Sequence, residues 1–218
     1  MKNKKYILFD LDGTLTDPSV GITNSVMYAL RKFGIEPPDR KELYCCIGPP
    51  LTYSFKKLWG FDDEKAALAV DYYREYFSVT GLFENEIYEV VEGLLQSLKS
   101  AGKKIYLATS KPDVYAIEIL KHFGIYNYFD FVAGNTIKEE RPTKLAVLEY
   151  LKSEFDVLNS QNTVMVGDTV FDAEGAKEAG FNSVCVLYGF GERDELVAAG
   201  ASRVAESVGE LKKILLED

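Results

Sequence analysis

The fold is decided by residues 6–14, which read YILFDLDGT. The first four, Tyr6 to Phe9, are apolar or aromatic without interruption, and Asp10 ends the run. A short apolar run of this kind is typical of a strand buried on both faces, as strands of parallel sheets are. Side chains two apart on an extended segment point the same way, so Asp10 and Asp12 share one face while Leu11 turns into the core. The stretch therefore predicts a buried strand that delivers two carboxylates to one pocket.

Four further runs of apolar, β-branched or aromatic residues predict four further strands. They cover residues 105–108, 131–133, 164–166 and 184–187. The segments between the strands have helical periodicity, and several end in a glycine that can close a helix, namely Gly102, Gly124 and Gly180. Because strands and helices alternate, the sequence predicts an α/β fold with a doubly wound, Rossmann-like parallel sheet and helices on both faces.

Residues 16–85 depart from this alternation, because their periodicity is helical throughout and no strand-like run occurs there. The helix candidates are residues 21–33, 40–46, 51–58 and 64–77, with glycine or proline at the breaks. The sequence thus predicts a core of residues 1–15 and 86–218 with an inserted α-helical cap of residues 16–85. Four aromatic residues in the cap have helical spacing, which favours packing over a ligand site; they are Tyr72, Tyr73, Tyr76 and Phe77.

Charge and cysteine content argue against several classes of function. The net charge is −9, whereas a nucleic-acid partner needs a basic surface. No apolar segment reaches the roughly 20 residues of a membrane span, and the N-terminal apolar run ends too soon for a signal peptide. Cys45, Cys46 and Cys185 form no Cys-x-x-Cys pattern, so we expect no disulfide framework, no zinc site and a cytoplasmic location. His122, the single histidine, falls at a predicted helix end and is interpreted as structural.

Polar residues follow three of the predicted strands, at the edge of the sheet where α/β proteins bind ligands. They are Asp10 and Asp12 after the first strand, Thr109 and Ser110 after the second, and Asp168 and Asp172 after the fourth. Lys144 begins the helix that precedes the fourth strand. The parallel arrangement brings these segments to one edge, so we expect a single site there.

Convergence of Asp10, Asp12 and Asp168 would be unfavourable without a cation. Two carboxylates about 4 Å apart repel by roughly 1 to 4 kcal/mol at effective dielectric constants of 80 to 20. Oxygen ligands without histidine or cysteine favour a hard ion, and Mg²⁺ is the usual ion beside phosphate. Asp10 then suits a nucleophile that splits phosphoester hydrolysis into two displacements. Asp12 suits a group that protonates the departing alcohol and later accepts a proton from water.

The segment Asp10-Leu11-Asp12-Gly13-Thr14 resembles the Asp-x-Asp-Gly-Thr motif of the haloacid dehalogenase-like hydrolase superfamily. The whole chain is similar to the phosphoglycolate phosphatase-like branch of that superfamily. The resemblance implies a phosphatase that passes through an aspartyl-phosphate, with Asp10 as nucleophile and Asp12 as general acid/base. It also implies that Mg²⁺ is held by the Asp10 carboxylate, the Asp12 backbone carbonyl and Asp168.

The same resemblance implies roles for the remaining polar residues. Thr109, with Ser110 beside it, matches the hydroxyl that binds the transferring phosphoryl group, and Asp172 matches a residue that supports the waters of the metal or the lysine. The family lysine has two candidate positions, because many relatives carry it in a Lys-Pro sequence and this chain reads ERPTK at residues 140–144. We prefer Lys144 over Lys138.

Three other functions share part of this pattern. A signalling receiver domain would carry its phosphoacceptor after a middle strand, and the helical insert has no counterpart there. A dehalogenase usually lacks the second aspartate of the motif, so Asp12 argues against it. A β-phosphoglucomutase-like sugar-phosphate mutase needs the same residues and stays open.

The substrate is a small phosphorylated metabolite that the sequence does not identify further. Phosphoglycolate, a nucleoside monophosphate, pyrophosphate and a sugar phosphate are all compatible. Four residues of the cap are candidate contacts: Tyr53, Lys56, Lys57 and Trp59. We expect no membrane partner and a monomeric protein.

Overall fold

The computed structural model describes residues 1–217 and divides into two compact units. An α/β unit comprises Met1–Thr16 and the chain from Ile87 onward, and a helical unit comprises Asp17–Glu86. The strands are β1 (Tyr6–Phe9), β2 (Thr16–Asp17), β3 (Glu86–Ile87), β4 (Lys104–Pro112), β5 (Phe131–Asn135), β6 (Thr163–Gly167), β7 (Asn182–Val186) and β8 (Arg203–Ala205). The helices are α1 (Ser19–Lys32), α2 (Leu51–Trp59), α3 (Asp63–Tyr76), α4 (Val91–Ser100), α5 (Asp113–His122), α6 (Lys144–Glu154), α7 (Val170–Glu178), α8 (Arg193–Ala199) and α9 (Val208–Leu216).

The α/β unit contains a six-stranded sheet in the order β5-β4-β1-β6-β7-β8, and its neighbouring strands pair in parallel. β1 lies between β4 and β6, with Phe9 opposite both Leu107 and Val166. All four residues of β1 are buried, which explains its uninterrupted apolar sequence. Since parallel strands end at the same edge, the residues that follow β4, β1 and β6 meet there.

In the interior of the α/β unit, apolar side chains of the strands pack against apolar side chains of the helices. One cluster combines Leu8, Tyr106 and Met165 of neighbouring strands with Leu148 and Leu151 of α6, and four of these five side chains are completely buried. Helical segments begin and end where the sequence signals predict. Lys144 is the first residue of α6, and His122 is the last residue of α5.

The helical unit packs α1 against α3 over an aromatic interior. The ring centroids of Phe33 and Phe61 lie 5.1 Å apart, and those of Tyr73 and Phe77 lie 5.3 Å apart. Helix α1 also approaches the π-helical turn Phe77–Gly81 that follows α3, because a Cβ on Gly21 would lie 2.0 Å from the carbonyl oxygen of Gly81. The aromatic residues that sequence spacing assigned to packing therefore do pack within this unit.

The predicted doubly wound α/β fold with a helical insert is confirmed, with three local differences. The segment Arg40–Cys46 is a 3₁₀ helix whose N-terminus is closed by a capping box between Asp39 and Glu42. Two short strands also pair with each other: β2 lies at the start of the region predicted to be helical throughout, and β3 lies directly after that region. A sixth strand, β8, joins the edge of the sheet, and its three residues are too few to show a periodicity. Among the described residues, no helix is long and apolar enough to cross a membrane.

Candidate active site

The strand ends that the sequence predicts to carry chemistry lie side by side. Since β4, β1 and β6 are neighbours, they bring Thr109, Asp10 and Asp168 to one edge of the sheet. The Asp10 N–H donates to the Val166 carbonyl at 2.8 Å, which continues the β1–β6 ladder by one residue. All three side chains are buried, and that of Asp168 is completely so. The edge of the sheet therefore holds polar groups that water does not reach freely.

Lys144 forms a buried ion pair with two of the aspartates. Its Nζ lies 2.9 Å from Asp10 Oδ1 and 2.8 Å from Asp172 Oδ1, and it donates to the Ala108 carbonyl at 2.7 Å. Burial lowers the pKa of Lys144, but the charges of Asp10 and Asp172 outweigh burial, so the pKa lies above its ordinary value. The ammonium group is therefore positive at neutral pH.

The helix packing fixes where Lys144 stands. Thr143 caps α6 by accepting a hydrogen bond from the Ala146 N–H at 3.2 Å, so Lys144 is held in the first turn. Gly175 of α7 leaves room for the lysine stem, since a Cβ there would lie 2.9 Å from Lys144 Cβ. Lys138, the alternative register, is exposed. Of the two lysines, Lys144 has the geometry of a phosphate-binding group.

Asp10 is held in an environment that opposes its charge. Burial raises its pKa to about 6, although Lys144 lowers it, and the nearby charges of Asp172 and Asp12 add to the rise. The attraction of a single lysine therefore does not compensate for burial. A carboxylate in this state is stabilised by any further cation that reaches it.

Asp168 is buried without a lysine or arginine partner of its own among the described ion pairs. Its Oδ1 accepts a hydrogen bond from Thr14 Oγ1 at 3.3 Å, and its Oδ2 accepts from the Phe190 N–H at 2.9 Å. Burial raises its pKa well above the ordinary value, and the charges of Asp172 and Asp10 raise it further. Two hydrogen bonds are a weak counterweight to a fully buried negative charge.

Glycines line the space around Asp168. Gly13 has a φ of +79°, which favours glycine, and a Cβ there would lie 2.1 Å from Asp168 Oδ2. A Cβ on Gly189 would lie 2.4 Å from Asp168 Cβ, and one on Gly191 would lie 2.1 Å from the Asp168 carbonyl oxygen. Three glycines from two separate segments thus allow the backbone to close around this one carboxylate.

Asp10, Asp168 and Asp172 form the acidic cluster of the described residues, with one oxygen from each lying within 4.8 Å of the others. One lysine faces three carboxylates, which leaves two negative charges uncompensated when all three are ionised. A divalent cation supplies that charge, and ligand atoms that are all oxygen suit a hard ion such as Mg²⁺. The residues present therefore fit the metal that the sequence predicts.

Asp172 contributes to this cluster and also orders the loop between β6 and α7. Its Oδ2 accepts hydrogen bonds from the N–H groups of Asp168 and Thr169 at 3.2 and 3.0 Å and from Thr169 Oγ1 at 2.9 Å. Its other oxygen is the one that contacts Lys144. Asp172 therefore supports both the lysine and the backbone of Asp168, which is the kind of supporting position that the resemblance implies.

The side chain of Asp12 has a different partner from the one expected. We expected its carboxylate to join Asp10 and Asp168, whereas Asp172 takes that place in the acidic cluster. Asp12 instead forms an ion pair with Lys111, whose Nζ lies 2.7 Å from its Oδ2. The Asp12 carboxylate thus stands next to the acidic cluster with its own cation, a position that suits proton transfer better than metal binding.

Thr109 and Ser110 differ in how they are held. Thr109 is buried, and its Oγ1 accepts a hydrogen bond from the Lys111 N–H at 3.2 Å. Ser110 is only partly buried. The buried, oriented hydroxyl of Thr109 is the better candidate of the two for contact with a phosphoryl group.

Sequence reasoning missed Lys111, Phe190 and the glycines on either side of Phe190. The segment Gly189-Phe190-Gly191 follows shortly after the fifth predicted strand, so the rule that ligands bind at strand ends could have found it. Lys111 also follows a predicted strand, directly after Thr109 and Ser110, but the sequence does not show that it pairs with Asp12. Only the geometry shows that its side chain is almost buried.

Comparison with known proteins identifies the family of this chain. A family model described as haloacid dehalogenase-like hydrolase matches residues 7–186. The chain belongs to the haloacid dehalogenase-like hydrolases. This match confirms the resemblance that the Asp-x-Asp-Gly-Thr motif indicated, and the matched range includes every site residue that the sequence predicted.

Relatives of this haloacid dehalogenase-like hydrolase are mostly phosphatases. A 5'-nucleotidase of Pseudomonas aeruginosa is 41% identical over 96% of the chain and 94% of its own length. A solved structure of a predicted phosphatase from Clostridium acetobutylicum has a TM-score of 0.96 and 44% identity, with 99% of each chain covered. Phosphoglycolate phosphatases of Vibrio species match at 28% to 30% identity.

Relatives from two Mycobacterium species have a different name. The tyrosine-protein kinase PtkA of Mycobacterium tuberculosis is 33% identical over 98% of this chain and 73% of its own length. The structural neighbours and the phosphatase relatives together show that this chain is a phosphatase of the haloacid dehalogenase-like family.

Proposed function

We propose that the chain is a Mg²⁺-dependent phosphatase that hydrolyses small phosphomonoesters through an aspartyl-phosphate on Asp10. The observation that carries the proposal is the arrangement around Asp10. A buried carboxylate at the end of β1 contacts Lys144 at 2.9 Å and lies in an acidic cluster with Asp168, which has no lysine or arginine partner among the described ion pairs. Such a site attracts a cation and a phosphate together.

Each residue has a role that its position supports. Asp10 and Asp168, with the backbone carbonyl of Asp12, would hold Mg²⁺, which neutralises charge on the phosphoryl oxygens when it is bound. Lys144 and Thr109 bind the same phosphoryl oxygens as a cation and a hydroxyl donor. The ion pair with Asp172 holds the Lys144 ammonium group beside Asp10.

The reaction proceeds in two displacements. In the first, an oxygen of Asp10 forms a bond to phosphorus, the ester P–O bond breaks, and Asp12 gives its proton to the departing alkoxide. In the second, the Asp12 carboxylate takes a proton from water, the water oxygen bonds to phosphorus, and the bond between phosphorus and Asp10 breaks. Inorganic phosphate leaves, and both aspartates return to their starting states.

We also propose that the helical unit acts as a cap that selects the leaving group. Among its candidate contacts, Lys56 forms an ion pair with Asp63, and Lys57 lies 5.2 Å from the ring centroid of Tyr53. Trp59 packs near Phe55, with ring centroids 5.6 Å apart. These internal partners favour a structural role for Lys56 and Trp59 over substrate contact. A nucleoside 5'-monophosphate is the first substrate to test, because the name of the Pseudomonas aeruginosa relative is 5'-nucleotidase.

The experiment compares wild type with Asp10→Asn, using Asp156→Asn as a matched control at an exposed position. Phosphate release from a panel of phosphomonoesters should need Mg²⁺, stop with chelator, vanish in Asp10→Asn and persist in Asp156→Asn. Mass spectrometry should detect a phosphorylated Asp10 in Asp12→Asn, which forms and hydrolyses the intermediate slowly. Substantial turnover by Asp10→Asn, or full activity in chelator, would contradict the proposal.

A mutase returns the phosphoryl group to a sugar, and a tyrosine kinase transfers one from a nucleoside triphosphate to tyrosine, whereas a phosphatase transfers it to water. The panel therefore also measures isomerised sugar phosphate and, with ATP and a tyrosine peptide added, transfer to tyrosine. Release of free phosphate over many turnovers supports the phosphatase. Transfer to a sugar or a tyrosine without free phosphate would replace it with the corresponding transferase, and a single slow dephosphorylation would indicate a receiver.

A further inference from the structure

Lys111, to which the sequence gave no role, contacts both oxygens of the Asp12 carboxylate. Its Nζ lies 2.8 Å from Oδ1 and 2.7 Å from Oδ2, and the two side chains are 6% and 12% exposed. Exposed ion pairs let both partners rotate freely and contribute little, whereas a nearly buried pair has one geometry. Because both oxygens touch a single ammonium group, the orientation of the carboxylate is fixed as well as its position.

The backbone of Lys111 is held by a bulge at the end of β4. The β4–β5 ladder changes register between Ala108 and Pro112, so the residues between them leave regular pairing. Within this bulge the Lys111 N–H donates to Thr109 Oγ1 at 3.2 Å. Bulges next to active sites commonly redirect a side chain, and this one directs the Lys111 ammonium to Asp12.

The neighbouring strand β5 supports the bulge from its other side. A Cβ on Gly134 would lie 2.5 Å from the Lys111 carbonyl oxygen, so the two backbones are in direct contact. Arg141 secures Gly134, since its Nε donates to the Gly134 carbonyl at 2.7 Å and its Nη2 lies 3.0 Å from Asp113 Oδ2. The backbone of Lys111 is therefore held as part of the sheet edge.

We propose that Lys111 is a positioning residue that holds Asp12 for proton transfer to the leaving group. The inference rests on the proposed function, in which Asp12 protonates the departing alcohol. That transfer requires about 2.6–3.2 Å between the two heavy atoms, and an aspartate side chain that rotates to another staggered position leaves this range. Lys111 removes that freedom. It acts through Asp12 and does not itself give up a proton.

The test compares two leaving groups, of which one needs a proton as it departs and the other does not. An alkoxide must be protonated as it departs, whereas 4-nitrophenolate departs without a proton. In Lys111→Met, which keeps the length of the stem and removes the ammonium group, kcat/KM for an alkyl phosphate should fall about tenfold or more, a part of what general acid catalysis contributes. For 4-nitrophenyl phosphate kcat/KM should change by less than about threefold. Equal losses on both substrates, or no loss on either, would overturn the inference.

Two further variants exclude indirect effects. Lys121→Met removes an exposed lysine of α5 and should leave both substrates unchanged. Lys111→Gln keeps a polar side chain and serves as the second variant if Lys111→Met unfolds, which a melting curve reports. It should show the same preferential loss on the alkyl phosphate, and an even loss would again overturn the inference.

A double-mutant cycle with Asp12→Asn separates positioning from direct substrate binding. If Lys111 acts through Asp12, Lys111→Met should add less than about a twofold loss on the alkyl phosphate once Asp12 is Asn. Additive losses would mean that Lys111 contacts the substrate itself, and the inference would be wrong. The proposed function fails separately, because in that event wild type hydrolyses neither phosphate with Mg²⁺.

Discussion

The α/β unit and the helical unit bury different kinds of side chain. The α/β unit buries four charged residues in the candidate active site, Asp10, Lys144, Asp168 and Asp172, and also buries Lys4. In the described residues 17–86 no charged side chain is buried, and the buried polar ones are serines and a threonine. Three of these hydroxyls donate to the carbonyl oxygen four residues earlier, as that of Ser25 does to Gly21 at 2.6 Å.

The difference shows which unit carries a cost in stability. Buried like charges destabilise the folded state unless a counter-ion compensates them, so the ionised acidic cluster destabilises the fold when no cation is bound. Aromatic packing in the helical unit stabilises it under all conditions. Substitutions in the two units should therefore have opposite effects on stability.

The largest effect is expected from Asp168→Asn. Loss of a metal ligand should lower kcat/KM by about 10³-fold, which corresponds to roughly 4 kcal/mol. In chelator the same variant should be more stable than wild type and have a higher Tm, since a buried carboxyl with a raised pKa is removed. Activity assays and melting curves with and without Mg²⁺ measure both effects. A Tm of Asp168→Asn below that of wild type in chelator would contradict this prediction.

An opposite change in stability is expected from Phe61→Ala in the helical unit. Phe61 is 5% exposed and its ring contacts those of Phe33 and Phe55. Its truncation should lower the free energy of unfolding by about 3–5 kcal/mol. Phe83→Ala, at a residue that is 49% exposed, is the matched control and should cost less than half as much. Denaturant titration measures both, and equal losses would show that the aromatic interior is not what stabilises this unit.

The smallest effect is a pH dependence of the gain in stability from Mg²⁺. The raised pKa values of Asp10, about 6, and of Asp168 mean that the folded, metal-free protein binds more protons than the unfolded chain above about pH 4. Stability from this site is therefore present at low pH and is lost as pH rises through the folded-state pKa values. Mg²⁺ competes with those protons, so its increase in Tm should be larger at pH 7 than at pH 5. Differential scanning fluorimetry measures it, and the Tm difference between Phe61→Ala and wild type should not follow the same trend.

Much of the site was predictable because the ends of the parallel strands determine where its residues lie. A buried run such as Tyr6–Phe9 indicates a parallel strand, and parallel strands bring the residues after them to a common edge. Asp10, Thr109 and Asp168 are placed there by the order of β4, β1 and β6. Lys144 was recognisable as the first residue of a helix because a helical pattern of leucines begins directly after it.

The partners within the site were not predictable from the sequence. Alternation along an extended segment predicted that Asp10 and Asp12 share a face, but β1 ends at Phe9, the chain bends at Leu11, and Lys111 supplies Asp12 with a separate cation. A change of register inside a strand leaves no periodic signal. Backbone donors such as the Phe190 N–H are invisible in the sequence, because every residue except proline carries one.

The glycines around Asp168 have a practical consequence for anyone who needs an inert form of this enzyme. Adding a side chain to Gly13, Gly189 or Gly191 would push directly on the carboxylate or its backbone and risks misfolding. The carboxylate itself can be neutralised in place, with the neighbouring contacts largely retained. A dead enzyme for capturing bound substrate should therefore be made by changing Asp10 or Asp168, and the surrounding small residues should be left untouched.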